Sequence, residues 1–232
     1  MPGLRALTLA TLAVASLHGR PAQGEDVMLV FDGSNSMWGQ IDGTAKIEIA
    51  RGVMDRLLGD WTEERAVGLM AYGHRQRGDC TDIELLLEPA PGNAAAIQDR
   101  IDAITPRGKT PLTDAVEQAA RALSHTDRPA TVVLISDGLE SCERDPCALA
   151  AELERSGVGF TAHVVGFGLG EDEDGSLACI AEATGGRYLS AADAGQLGAA
   201  LGEIATAVAE TPEPEPEPEP EPAYDVTLQV PG

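Results

Sequence analysis

One short stretch of the chain carries oxygen-bearing side chains of the kind that bind hard cations. Asp32, Ser34 and Ser36 alternate directly after an apolar run, so a carboxylate and two hydroxyls can point toward one position from an extended turn. Because Mg²⁺ prefers oxygen ligands in octahedral geometry, this set predicts a divalent-cation site, with Mg²⁺ favoured and Mn²⁺ or Ca²⁺ as alternatives.

The elements that must position these residues follow from the apolar pattern. Runs rich in Val, Ile and Leu alternate with helical patterns, which is typical of a parallel sheet covered on both faces. Strands are predicted over 26–31, 66–72, 82–87, 131–135, 160–167 and 188–189, and helices over 46–58, 94–104, 111–123, 146–155, 175–183 and 193–208. The short connection before residue 82 predicts an antiparallel edge pair, because a parallel crossover needs about a dozen residues or more. Thr110 is the predicted N-cap of the third helix, with Pro111 at its first position.

Three segments together resemble, in order, the metal-ion-dependent adhesion site of von Willebrand factor A domains. They are Asp32-Gly33-Ser34-Asn35-Ser36, Gly108-Lys109-Thr110-Pro111-Leu112 and Ile135-Ser136-Asp137-Gly138. The resemblance covers roughly residues 26–208 and implies an α/β fold: a doubly wound, mostly parallel six-stranded sheet with one antiparallel edge strand. It also implies that Asp32, Ser34, Ser36, Thr110 and Asp137 hold the cation, some of them through water. An Asp or Glu carboxylate of a partner protein would then complete the coordination.

An incoming carboxylate would need positive charge beyond the cation, since the two carboxylates of the site already balance a divalent ion. Basic candidates for a partner rim occur in two segments: His74, Arg75, Arg77, Arg107 and Lys109. A solvated basic rim without a ligand is an equally good interpretation of these residues. Trp38 directly follows the first segment and is either a partner contact or a packing residue.

The charge balance limits the class of partner. With 38 acidic and 16 basic residues the formal charge is -22, which disfavours nucleic acid and anionic lipid surfaces because both are polyanions. The partner is therefore expected to be a protein, of unknown identity, that presents Asp or Glu to the cation.

Both ends of the chain have the composition of appendages. Arg5, the apolar stretch 6–17, and small residues at Ala22 and Gly24 predict a signal peptide over 1–24. The globular domain is expected over 25–209, followed by an extended Glu-Pro linker over 210–222. Residues 223–232 are predicted to begin a further module or to form a disordered tail. The mature chain is thus expected to be exported, periplasmic or extracellular, and without a membrane span.

Four cysteines remain in the exported part: Cys80, Cys142, Cys147 and Cys179. An even count in an oxidising compartment favours two disulfides, and the spacing is a poor match to a zinc site. Four cysteines allow three connectivities, of which a local Cys142–Cys147 bridge with Cys80–Cys179 is weakly preferred.

The favoured function is a cation-dependent protein-binding module for adhesion or assembly at the cell envelope, without catalytic residues. One alternative is a structural or scaffolding subunit whose cation only ties loops together. A metal-dependent hydrolase is a further alternative, but the chain has no Gly-x-Ser-x-Gly elbow, phosphate-binding loop or His-Glu-x-x-His helix.

Overall fold

The strands of the domain belong to one large sheet and one small hairpin. A computed structural model describes residues 26–60, 65–123, 130–155, 160–170 and 175–210. The strands are β1 (Asp26–Asp32), β2 (Gln40–Ile41), β3 (Thr44–Ala45), β4 (Val67–Tyr72), β5 (Ile83–Ala90), β6 (Ala130–Ser136), β7 (Phe160–Phe167) and β8 (Tyr188–Ala191). β2 and β3 pair with each other, and the others form a six-stranded sheet in the order β5-β4-β1-β6-β7-β8. The hairpin was not predicted, because two-residue strands leave no periodic signal.

The direction of each pairing confirms the predicted fold class. β1 lies parallel between β4 and β6, and β7 and β8 continue the parallel sheet. β5 pairs antiparallel with β4 at the edge, as the short connection predicted. The protein is therefore an α/β domain with a six-stranded, mostly parallel sheet and one antiparallel edge strand.

Helices cover both faces of this sheet. They are α1 (Lys46–Asp60), α2 (Ala94–Ala103), α3 (Leu112–Leu123), α4 (Pro146–Arg155), α5 (Gly175–Ala183) and α6 (Ala194–Glu210). Successive residues of β1 point to opposite faces. Val27 and Phe31 pack in a core with α1, α2 and α6, whereas Met28 and Val30 pack with α3, α4 and α5. The two cores keep the sheet rigid beneath the loops at its carboxyl edge.

One predicted helix start is wrong. α3 begins at Leu112, so Thr110 is not its N-cap. The carboxylate of Glu140 takes over this role, since its Oε2 accepts a hydrogen bond from the Thr113 amide at 2.9 Å. Glu140 lies 27 residues away in sequence, and this kind of capping leaves no local signal.

Two disulfides connect segments that are distant in sequence. Cys80 is bonded to Cys142 and Cys147 to Cys179, with Cα separations of 5.7 and 5.4 Å. The preferred local Cys142–Cys147 pairing is wrong, because α4 carries Cys147 toward α5 while Cys142 stays in the loop beside the β4–β5 connection. The prediction of two disulfides is confirmed.

The predicted appendages lie outside the described residues: the signal peptide over 1–24, the tail over 223–232 and all of the Glu-Pro linker after Glu210, which ends α6. Among the helices that the structure describes, none combines the length and apolar character needed to cross a bilayer.

Candidate metal site

The candidate site lies at the carboxyl edge of the sheet, where the chain direction switches. Asp32 is the last residue of β1, and Asp137 directly follows β6. β1 has β4 on one side and β6 on the other, so the strand order reverses at β1. The connections that follow β1 and β6 diverge there and leave a crevice at the carboxyl edge. Thr110 reaches the same edge from the segment before α3.

Backbone hydrogen bonds tie the loops of the site together. The Gly33 amide donates to the Tyr72 carbonyl at 2.8 Å, and the Asn35 amide donates to the Gly108 carbonyl at 3.0 Å. On the other side, the Ser141 amide donates to the Thr110 carbonyl at 3.1 Å. These contacts fix the relative positions of all three ligand-bearing segments.

The close approach of the loops depends on glycine. Gly73 has φ of +67° and lies against the loop before α3, where a Cβ would collide with the Lys109 carbonyl oxygen. A Cβ at Gly108 would lie 2.6 Å from the Gln76 carbonyl oxygen. A side chain at either position would push the Thr110 segment away from the end of β1.

The structure brings the five predicted ligand residues to one place. Ser34 Oγ and Ser36 Oγ are 2.7 Å apart, and Ser36 Oγ donates to Asp137 Oδ1 at 2.7 Å. The Asp137 amide donates to Asp32 Oδ2 at 3.3 Å. A Cβ added at Gly138 would lie 3.4 Å from Ser36 Oγ and 3.7 Å from Thr110 Oγ1, so the Thr110 hydroxyl borders the same space. Asp32, Ser34, Thr110 and Asp137 are buried, whereas Ser36 is exposed.

These oxygens lie close enough together to share one octahedral ion. Adjacent ligands of Mg²⁺ lie about 3 Å apart when each bond is about 2.1 Å, and Ca²⁺ needs wider spacing. The 2.7 Å oxygen pairs need to open only slightly to reach that value. The described residues contain no cluster of three or more His, Cys, Asp or Glu side chains suited to a metal, so a cation here depends on hydroxyls as well as carboxylates. The role of the five residues as metal ligands remains a prediction.

Two residues behind the site orient Asp32, and sequence reasoning missed both as functional groups. Ser136 Oγ donates to Asp32 Oδ2 at 2.8 Å, and Tyr72 Oη donates to Ser136 Oγ at 2.9 Å. The Ser34 amide donates to the other oxygen, Asp32 Oδ1, at 2.7 Å. Burial and the nearby Asp32 charge raise the pKa of Tyr72 well above its usual value, so the phenol stays a neutral donor. The only sequence signal was the position of Tyr72 and Ser136 at strand ends.

The Tyr72→Phe variant tests this chain of hydrogen bonds. Loss of the phenol hydroxyl frees Ser136 to rotate and loosens the orientation of Asp32, so Mg²⁺ affinity is expected to fall about 10-fold or more. Isothermal titration calorimetry measures the change, with Tyr188→Phe on β8 as the matched control. Equal Mg²⁺ affinities of Tyr72→Phe and wild type would show that Asp32 needs no support from behind.

Lys46 is a further residue at the site that the sequence did not indicate. Its Nζ lies 3.0 Å from Asp137 Oδ2 and donates to the Gly168 carbonyl at 3.2 Å. Lys46 begins α1, and nothing in its local pattern separates it from an exposed helical lysine. Despite this ion pair, burial and the neighbouring Asp32 charge raise the pKa of Asp137 to about 6.

The raised pKa predicts a pH-dependent stability of the metal-free protein. Between about pH 4 and pH 6 folded Asp137 holds a proton that the unfolded chain has released, so the free energy of unfolding falls as pH rises. The expected loss is on the order of 2 kcal/mol. Urea unfolding in chelator, compared with the Asp137→Asn variant across this range, measures it. If the free energies of unfolding of wild type and Asp137→Asn changed with pH in the same way, Asp137 would not be the source of the pH dependence.

The predicted rim residues occupy two kinds of environment. The Arg75 guanidinium donates to buried Asp82 at 2.7 Å and lies 3.4 Å from Glu84, which also pairs with His74 at 3.1 Å. The hydrogen bond to Asp82 raises the pKa of the Arg75 guanidinium, and the pKa of the Asp82 carboxyl is lowered from its usual value. Arg77, Arg107 and Lys109 are exposed. Arg75 and His74 therefore stabilise the β4–β5 connection.

Two large apolar side chains are exposed next to the ligand segments. Trp38 is 47% exposed, two residues after Ser36, and its Nε1 donates to the Pro106 carbonyl at 2.9 Å. Leu139 is 37% exposed, two residues after Asp137. The hydrogen bond holds the indole in place while its ring remains accessible, as suits a contact residue.

The chain is similar to one protein-family model, to a sequence relative and to two solved structures. Residues 27–140 match the family model for the von Willebrand factor type A domain. The Bacillus subtilis (strain 168) protein YwmD, described as uncharacterized, is 25% identical over 198 residues, which are 82% of this chain and 88% of YwmD.

Two solved structures share the fold at low identity. The pilus adhesin SpaC from Lactobacillus rhamnosus GG matches with a TM-score of 0.65 and 18% identity, over 82% of this chain and 31% of SpaC. Proximal thread matrix protein 1 from the mussel byssus, described with a zinc-occupied MIDAS motif, matches with a TM-score of 0.62 and 18% identity. That match covers 80% of this chain and 46% of the mussel protein.

Proposed function

We propose that the chain is a divalent-cation-dependent protein-binding module for adhesion or assembly at the cell envelope. The match of residues 27–140 to the von Willebrand factor type A domain supports this proposal. The observation that carries this proposal is the convergence of two carboxylates and three hydroxyls at the switch point of the sheet. A bound divalent cation supplies an electrophilic centre that attracts an oxygen anion. Asp32, Ser34, Ser36, Thr110 and Asp137 would hold it, and an Asp or Glu carboxylate of the partner protein would complete its coordination.

The hydrogen bonds of the loops favour a ligand-binding cation over a purely structural one. The three ligand segments are already joined by backbone hydrogen bonds, and the Cys80–Cys142 disulfide links the β4–β5 connection to the loop after β6. An ion is not needed to bring these segments together. We therefore infer that the cation acts on a partner.

The exposed surroundings of the site favour binding over turnover. Ser36 is accessible among the proposed ligands, and Trp38 and Leu139 present apolar surface beside it. Exposed aromatic and aliphatic side chains around a polar centre are typical of protein-binding surfaces. His74, which follows β4, is paired with Glu84 and so is a poor candidate for a general base.

The relatives and the disulfides support the setting of this proposal. SpaC is described as a pilus adhesin and the mussel protein as a thread matrix protein, so the fold is used in adhesive and structural proteins. The zinc-occupied motif of the mussel protein supports a divalent cation in this chain, with Mg²⁺ proposed here because the candidate ligands are all oxygens. Two disulfides fit an exported protein in the periplasm or outside the cell.

The Ser36→Ala variant tests the proposal with little risk to folding. Ser36 is exposed, and removal of its hydroxyl takes one oxygen from the cation without opening the core. We expect calorimetry to show Mg²⁺ binding by wild type and an affinity at least about 10-fold lower for Ser36→Ala. Ser190→Ala, at an exposed serine on β8, is the matched control.

The partner-binding half of the proposal needs a separate measurement. Immobilised wild-type protein is expected to retain an envelope protein in Mg²⁺ and to release it in chelator, while Ser36→Ala retains little of it. Failure of folded wild-type protein to take up Mg²⁺, Mn²⁺ or Ca²⁺ would overturn the proposal. Retention that persists in chelator would overturn its cation dependence.

A further inference from the structure

Lys46 places a largely buried positive charge beside the proposed ligand Asp137. Its Nζ lies 3.0 Å from Asp137 Oδ2, while the other carboxylate oxygen, Asp137 Oδ1, accepts from Ser36. Asp137 therefore stands between the ammonium and the space that the hydroxyls border. The Lys46 side chain is only 14% exposed and that of Asp137 is fully buried, so solvent screens the pair weakly.

The fold builds a specific passage for this lysine. Lys46 is anchored at the start of α1, where its amide donates to the Gly39 carbonyl at 2.8 Å. Its stem runs past Gly39, where an added Cβ would lie 3.6 Å from Lys46 Cε, and reaches Gly168 at the end of β7. A Cβ at Gly168 would lie 2.9 Å from the same Cε. Gly168 thus leaves room for a side chain that ends at the ligand set, whereas a Cβ at Gly39 would only be in van der Waals contact with it.

A charge count shows what this lysine changes. Asp32 and Asp137 carry two negative charges, and Lys46 returns one positive charge, so the contacting groups sum to one negative charge. A divalent cation would bring the sum to one positive charge. Without Lys46 the loaded site would be neutral, and a partner carboxylate would then leave a net negative site in a chain of formal charge -22.

We propose that Lys46 is the specificity-determining residue of this site. It lowers the affinity of the site for a divalent cation, and it supplies the surplus positive charge that makes the cation-loaded site bind a carboxylate. The inference rests on the proposed function and names the regulation of that same site. Lys46 fills the role for which the exposed basic residues were candidates, and it does so from a largely buried position where solvent screens the interaction less.

The test measures two affinities whose changes have opposite signs. Mn²⁺ binding to the folded, disulfide-bonded protein is followed by electron paramagnetic resonance of the free ion. Acetate binding to the Mn²⁺-loaded protein is followed by water-proton relaxation, because a bound carboxylate displaces a water from the ion. For Lys46→Gln we expect Mn²⁺ to bind about 10-fold more tightly and acetate about 10-fold more weakly than for wild type.

Matched variants separate this effect from general electrostatics and from damage to the fold. Arg56→Gln removes one positive charge from an exposed side chain of the same helix and is expected to change both affinities less than about 2-fold. Lys46→Met is the second variant, because its side chain fills the passage between Gly39 and Gly168 if glutamine does not fit. A merely structural role for Lys46 would weaken both affinities together.

The outcomes distinguish this inference from the proposed function. If wild-type protein takes up no Mn²⁺, the proposed function fails. If wild type binds Mn²⁺ and acetate but the Lys46 variants change both affinities in the same direction, or match Arg56→Gln, only the role of Lys46 is overturned.

Discussion

The Asp137→Asn variant is expected to lose at least about 100-fold in Mg²⁺ affinity while its metal-free form becomes more resistant to urea than wild type at pH 7. The amide replaces a charged ligand, which accounts for the loss of affinity. It also removes one of two neighbouring buried carboxylates, whose repulsion and burial raise the pKa of Asp137 to about 6. Calorimetry and urea unfolding in chelator measure the two changes on the same preparation.

This variant also separates a ligand-binding cation from a structural one more cleanly than Asp32→Ala. Truncation of Asp32 would leave three donors without their acceptor: the amides of Ser34 and Asp137 and the Ser136 hydroxyl. Asp137→Asn keeps a side-chain oxygen beside Ser36 and Lys46. If the metal-free form of Asp137→Asn were less stable than wild type at pH 7, repulsion between Asp32 and Asp137 would not destabilise the metal-free protein.

Replacement of Cys80 and Cys142 by serine is expected to lower the free energy of unfolding by about 4 kcal/mol. The disulfide closes a loop between residues that are 62 positions apart, and loop-closure entropy of the unfolded chain accounts for the loss. A domain of this size has a total stability of about 5–15 kcal/mol, so the loss is a large share. Equilibrium unfolding in urea at neutral pH measures it.

The second disulfide provides the matched control. Cys147 and Cys179 are 32 positions apart, so their replacement should cost about 0.6 kcal/mol less than the first pair. It joins α4 to α5, away from the ligand segments, whereas Cys142 follows Asp137 in the loop after β6. We therefore expect only the Cys80/Cys142 double variant to weaken Mg²⁺ binding. Equal effects of both variants on Mg²⁺ affinity would show that this loop needs no covalent restraint.

Local patterns in the sequence were enough to predict the elements of the fold. The buried strands β1, β6 and β7 are continuous apolar runs, and the helices between them carry periodic apolar residues, so their existence and order follow from short-range periodicity. The antiparallel edge strand β5 followed from the length of one connection. The candidate ligands were visible because Asp32 and Asp137 come directly at strand ends, which meet at one edge of a parallel sheet.

Contacts between distant segments had no signature in the sequence. The predicted disulfide pairing was wrong because it relied on the short sequence separation of Cys142 and Cys147. In the fold, α4 directs Cys147 toward α5. Glu140 caps α3 from another loop, which a search for local capping residues does not find.

The sequence by itself determined the α/β architecture and the residue types of the candidate site, because strand periodicity and residue type are local properties. Only the tertiary structure decided what surrounds that site. Ser136 and Tyr72 lie behind Asp32, and Lys46 contacts Asp137 although the two residues are 91 positions apart in the chain. Burial, charge pairing and the resulting pKa of Asp137 depend on how layers pack against one another, and no single segment encodes that packing.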